Sequence, residues 1–208
     1  MLVPGQSASQ QRQKSRRGST TGAVPHDSKP VVKLRPFTCP NVGEGMPTQT
    51  PDPALQELLR GRYIATLATE NADGTVHLTA VWYLFEDGCL FVATSSKSRK
   101  ARNIAARPKA SLMVDVRKPG AEQGVSAAGN AEVISGAQSE AINRRIHSRY
   151  MSPAALSDPA VGPVFASFDD VTLRLTPVSW TSWNMAVLDA QAFGGRLGKM
   201  PGYLLPLD

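Results

Sequence analysis

The sequence predicts a β-rich α+β fold built on an antiparallel sheet that closes on itself. Short runs rich in Val, Leu, Thr and aromatic residues recur across residues 62–184 and read as six strands. The first of these are joined by turn sequences, Asn71-Ala72-Asp73-Gly74 and Glu86-Asp87-Gly88, which leave no room for crossover helices. Helical patterns are few, whereas a doubly wound parallel sheet needs a helix after nearly every strand. An open β-sandwich is the competing architecture.

The folded part begins at TPDPALQELLRG. There Asp52 can cap a helix, Pro53 suits its first turn, Gly61 can stop it, and Leu55, Leu58 and Leu59 form one apolar face. RYIATLATE follows as a strand with Tyr63, Ala65, Leu67 and Thr69 on one side, and a hairpin leads into TVHLTAVWYLF and then CLFVAT. A basic helix comes next, ended by Pro108, with ASLMVDVR as the following strand. GVSAAGNAEVIS reads as another strand with Gly129 at a bulge or close approach. The spacing predicts a helix over 137–150 with Ile142, Ile146 and Tyr150 on its apolar side and Arg144, Arg145 and Arg149 on its polar side. SPAALSDPAVGP reads as a broken helical connection before the last long strand, DDVTLRLTPVSWTSWNM.

Charge locates the parts outside this body. The chain of 208 residues carries +6, and residues 1–45 alone carry +5, from seven Lys or Arg against Asp27 and Glu44. That segment is rich in Ser, Gln, Gly, Pro and Thr and lacks apolar periodicity. Residues 1–48 are therefore expected to be a disordered basic extension, 49–186 the sheet domain, and 187–208 a C-terminal extension. In the last, Tyr203, Leu204, Leu205 and Leu207 are apolar enough to pack on the body or on a partner. Met46 offers an alternative start, and Arg16-Arg17 lacks the apolar run of an export signal. A basic tail of this kind is more often simply solvated than a nucleic-acid arm. No apolar run reaches membrane-spanning length. Cys39 and Cys89 match neither a disulfide framework nor a metal cluster, so the expected setting is the reducing cytoplasm with Cys89 a small buried hydrophobe.

The chemistry-bearing segment is CLFVATSSKSRKARNIAARPKASLMVD. Lys97, Arg99, Lys100, Arg102, Arg107 and Lys109 fall within thirteen residues without an acid among them. Ser95, Ser96, Ser98, Arg99 and Lys100 together suit an anion, because hydroxyls, first-turn amides and cations converge at a helix start. Simple solvation of a charged face is the plain alternative. The helix dipole weighs against it, since cations at an N-terminus are disfavoured unless an anion compensates. No Ser-His-Asp order, HExxH, paired CxxC or Walker loop is present, which removes hydrolases and nucleoside triphosphatases as first choices. His77 and His147 are weak general-acid candidates, and Asp169-Asp170 reads as a turn rather than a carboxylate dyad.

FVATSSKSRKARNIAARPKASLMV, the hairpin ATENADGTVHLTAVWYLFEDG, and Pro177 followed by Trp183 resemble the pyridoxamine 5′-phosphate oxidase-like superfamily. The resemblance implies an FMN-binding split barrel with flanking helices, assembled as a homodimer with sites at the interface. It places Thr94, Ser98, Arg99 and Lys100 at the cofactor's phosphate and ribityl chain. Val81 and Trp82 fall beside its ring, and Trp183 is where a partner's aromatic closes the site. Tyr83 and His77 fall on the substrate side, and no catalytic residue is assigned. The vitamin B6 oxidases of the family carry Arg at the position of His77, Lys at that of Trp82 and an Arg-Leu-His-Asp-Arg run near the end; only Arg196-Leu197 is present here. The TAVWYLF hairpin is more similar to the deazaflavin F420-dependent branch. The implied function is an F420- or FMN-dependent oxidoreductase, F420 preferred, transferring hydride to or from a small unsaturated substrate. A non-catalytic flavin- or haem-binding module is the alternative. Neither a metal nor a nucleic acid is expected.

Overall fold

The computed structural model describes residues 51–206. The basic extension expected at residues 1–48 lies outside them, as do Cys39, Met46 and Leu207.

Helix α1 (Pro53–Arg60) starts where Asp52 accepts a hydrogen bond from the Ala54 amide at 2.8 Å. It ends at Gly61, which lies so close to the Tyr63 ring that a Cβ would sit 2.1 Å from it. Leu58 and Leu59 are buried, each worth roughly 1.5–3 kcal/mol against exposure.

Seven antiparallel strands follow: β1 (Ala65–Glu70), β2 (Val76–Val81), β3 (Leu84–Glu86), β4 (Cys89–Thr94), β5 (Lys109–Val116), β6 (Gln123–Ser135) and β7 (Val171–Asn184). Their order is β2-β1-β5-β6-β7-β4-β3. The sequence reads TVHLTAVWYLF as one strand, but the structure divides it at Trp82-Tyr83 into β2 and β3, the two outermost strands of that order. A two-residue link spans at most about 11 Å. The edges of a flat seven-stranded sheet would stand roughly 29 Å apart. The sheet therefore curls into a split barrel, and the open sandwich does not apply.

Inside lie Ala65, Leu67, Val81, Leu90, Val92, Leu112, Val114, Val125, Leu173 and Leu175, with Leu59 of α1 and Ile104 of α2 (Arg99–Ala106) closing the core. Gly129 sits at a register shift opposite Pro177, where a Cβ would meet the Thr176 carbonyl at 2.1 Å. Cys89, expected to be buried, is only half-buried, with Sγ 3.8 Å from Thr176 Oγ1.

Helix α3 (Ala137–Tyr150) differs from its expected apolar face. Its buried residues are Ser139, Asn143, Ile146 and His147. Asn143 Nδ2 donates to the carbonyls of Asp169 (2.8 Å) and Val171 (3.1 Å), and Thr172 Oγ1 donates to Asn143 Oδ1 (2.6 Å). Satisfied polar groups thus dock the helix on the start of β7, where a purely apolar stripe was expected. The broken connection becomes α4 (Pro153–Ser157) and α5 (Gly162–Phe168). After β7, α6 (Met185–Phe193) and α7 (Arg196–Lys199) form, with buried Asp189 accepting from the Leu197 and Gly198 amides at 3.0 and 2.9 Å. Tyr203 and Leu205 stay exposed on this chain. Among the described residues no helix is long and apolar enough to cross a membrane.

Candidate functional site

Strand β4 delivers Thr94 to the barrel rim, where it is buried and donates to Ser98 Oγ at 3.2 Å. Ser98 caps α2, accepting from the Ala101 amide at 3.2 Å, and its own amide closes the turn on the Ser95 carbonyl at 2.9 Å. The turn is pinned from across the sheet by Asp170, which accepts from both the amide and the hydroxyl of Ser96. These bonds hold the Asp170 carboxyl below its ordinary value, the Ser96 hydroxyl contributing most. At its other end α2 is tied down by Asn103, which donates to Thr69 Oγ1 (3.1 Å) and Asn71 Oδ1 (3.0 Å).

Beside this turn opens a cleft of about 490 Å³. Thr94 and Lys100 line one side, Val81 and Trp82 another, and Phe165 and Asp169 a third. Burial pushes the Lys100 ammonium below its ordinary value, and the Asp169 carboxylate offsets part of that. Trp82 is stacked between Tyr150 (centroids 5.0 Å, 2° between planes) and Phe165 (5.7 Å, 11°). Both partners lie nearly parallel to the indole, so Trp82 borders the cleft as part of an aromatic stack. Behind Asp169, buried His147 stands with Nε2 2.8 Å from Oδ2 and its ring at 66° to that of Phe165, centroids 5.6 Å apart.

Of the expected cofactor residues, the structure brings Val81, Trp82, Thr94 and Lys100 to one cleft and sets Ser98 behind Thr94 as a cap. Arg99 is exposed and does not line the cleft; the carboxyl that feels its charge is Asp73, in the β1–β2 turn. Tyr83, expected on the substrate side, is fully buried instead, with its hydroxyl donating to the carbonyls of Leu59 (2.9 Å) and Gly61 (3.1 Å). Burial pushes that phenol's pKa up. The reason is the edge switch at Trp82-Tyr83: Trp82 faces the cleft, and its neighbour turns into the barrel end. His77 lies four residues before Val81 on β2, roughly 13 Å up the strand and away from the cleft. Trp183 lies at the far end of β7, twelve residues and roughly 40 Å of strand beyond the Val171 that pairs with Thr94. It lies against Gly124 and, with Leu55, Leu58 and Val187, lines a separate cleft of about 310 Å³.

Phe165 and Asp169 were not legible as site residues, and His147, a weak general-acid candidate in the sequence, stands behind Asp169 rather than in the cleft lining. The usable signal was an acidic pair directly before the strand that pairs with the end of β4. The residues present suit a phosphate-bearing cofactor on the Lys100 side, where a desolvated ammonium, the Thr94 hydroxyl and the first turn of α2 meet. Among the described residues, no cluster of three or more His, Cys, Asp or Glu side chains is placed to hold a metal ion.

A protein-family model described as pyridoxamine 5′-phosphate oxidase matches residues 51–184. Among solved structures, a conserved hypothetical protein from Mycobacterium tuberculosis is 24% identical with a TM-score of 0.57, over 71% of this chain and 92% of that one. An F420 reductase is 23% identical (TM-score 0.49, 62% and 97% covered). HutZ, the heme storage protein from Vibrio cholerae, is 18% identical (0.48, 67% and 95%). Such identities speak to the fold alone, and the two lower scores decide nothing about ligand. None of the curated proteins matches the chain.

Proposed function

The chain belongs to the pyridoxamine 5′-phosphate oxidase family, and on that premise we propose that it is a cytoplasmic, homodimeric oxidoreductase using F420, or else FMN, on a small unsaturated organic substrate. The observation that carries this reading is Lys100: a half-buried cation beside the Thr94 hydroxyl, at a helix start, in a cleft of cofactor size. A bound flavin or deazaflavin supplies the hydride chemistry.

The chain's own residues bind and orient. Lys100 and the first turn of α2 attract a phosphate. Asp169, held by His147, repels anions and accepts from hydroxyl or N–H donors, which confines the phosphate to the Lys100 side. The stacked Trp82, Tyr150 and Phe165 keep one wall apolar and rigid. Trp183, 39% exposed, is available to a second copy of the chain, as the resemblance implies. F420 is preferred on the TAVWYLF hairpin and on exposed Lys97 and Arg102, which suit an acidic tail.

The test is mass and absorbance analysis of the ligand that co-purifies from a host making both FMN and F420. Failure of either to co-purify or to rebind overturns the reading. Reconstituted protein is then given reduced F420 with quinone-like or enone acceptors. Binding without turnover across that panel favours the non-catalytic module.

A further inference from the structure

A second cleft, of about 650 Å³, is lined by Arg62 and by Ala141, Arg144, Arg145, Ser148 and Arg149 of α3. It shares no lining residue with the cofactor cleft. The helical members recur at three- and four-residue spacing, so one face of α3 presents three guanidinium groups with only a small residue and a hydroxyl between them. Two of the four arginines have structural duties. Arg145 pairs with Glu86, and Arg149 Nη2 donates to the Arg60 carbonyl at 2.6 Å and to that of Gly61. Arg149 Nε is nonetheless buried without a hydrogen-bond partner.

Arg62 and Arg144 are different. Both are exposed, and neither guanidinium makes a hydrogen bond or ion pair among the described residues, although the Arg144 carbonyl accepts from the Ser148 hydroxyl at 2.8 Å. Four guanidinium groups around one concavity, with Glu86 and Asp87 the acids that answer Arg145, leave it net positive. Planar guanidinium forks match phosphate and carboxylate oxygens two at a time. A concavity of this size takes a small molecule.

We propose that this arginine cleft is a binding site for a small polyanion carrying at least two phosphate or carboxylate groups, gripped by the unpaired guanidinium groups of Arg62 and Arg144. Behind its lining, the Arg149 guanidinium lies 5.6 Å from the Tyr83 ring centroid and 5.8 Å from that of Tyr150.

Calorimetric titration of the full chain with inorganic pyrophosphate, citrate and inorganic phosphate, at about physiological salt, tests it. The expected result is saturable binding of pyrophosphate or citrate, at least tenfold tighter than of phosphate. The Arg62→Ala/Arg144→Ala double variant weakens it at least tenfold, and Lys100→Ala leaves it unchanged. Preference for pyrophosphate identifies a phosphate ligand, and preference for citrate a carboxylate one. Both arginines are exposed, so the variant should keep the native thermal midpoint; Arg62→Lys/Arg144→Lys, which keeps the charge but loses the forks, should give intermediate affinity. No saturable binding overturns the proposal. So does binding indifferent to the double variant, and so does tighter binding of a duplex oligonucleotide through the same two arginines. Loss of binding in Lys100→Ala would place the anion in the cofactor cleft instead, while failure of F420 and FMN to bind leaves this site untouched.

Discussion

Asp170 holds Ser96 by two bonds at once, Oδ1 accepting from the backbone amide and Oδ2 from the hydroxyl, each at 2.6 Å. One carboxylate therefore staples the turn before α2 to the start of β7. Because these bonds favour the charged form, the carboxyl's folded-state pKa is depressed. Its contribution is fully present above the unfolded carboxylate value near 3.9 and is lost as pH falls through the folded value. Asp170→Asn should cost about 1 kcal/mol at neutral pH and flatten the loss of stability below about pH 4. Urea melts across pH 2–7 check both, and an unchanged acid limb would remove Asp170 from that role.

Arg99 and Lys100 look alike in sequence, yet only Lys100 lines the cleft. Lys100→Ala should weaken cofactor binding by about 1.5–3 kcal/mol, as for a lost hydrogen bond to a charged group. Arg99→Ala, removing an exposed charge, should cost less than about 0.5 kcal/mol. Fluorescence titration with F420 and FMN separates them, and equal losses would mean that Arg99 swings onto the ligand.

Most strands and the basic helix are legible from alternation, turn residues and caps, because those signals are local. The division of TVHLTAVWYLF is not. Its apolar run has no Gly, Pro or Asn to mark a break, and Trp82-Tyr83 change edges only because the closed sheet demands it. The same change of edge buries Tyr83, which an alternation argument cannot foresee. Asp169 escaped for a related reason: an acidic pair before a strand reads as a turn, and only the pairing of Thr94 with Val171, distant in sequence, carries it to the cleft. Lys100 was legible because its cue, a Ser-capped basic helix after a strand, lies within six residues.

His147 and Asp169 form a pair whose side chains are 6% and 21% exposed. His147→Ala would strip Asp169 of its buried partner and open a void beside Phe165. The expected cost is about 2–4 kcal/mol of stability, with weaker phosphate-ligand binding because Asp169 loses its anchor. His147→Gln, which keeps a donor, should restore much of the stability. Thermal midpoints with cofactor titrations distinguish the two, and a silent His147→Ala would make the pair incidental.

The Trp183 indole lies so near Gly124 that a Cβ there would stand 2.0 Å from Cζ2. Gly124→Ala must therefore displace the ring, which is 39% exposed and free to move, so the expected result is a shift in tryptophan emission with little change in stability. Trp183 is remote from its own chain's cleft along β7, so its contribution to a cofactor site requires a second copy. Trp183→Ala should leave the thermal midpoint of the isolated chain nearly unchanged, yet weaken cofactor binding by about 2 kcal/mol and loosen self-association in sedimentation. Native cofactor affinity in a chain that still self-associates would exclude Trp183 from the site. Native affinity in a chain that stays monomeric would exclude the shared site altogether.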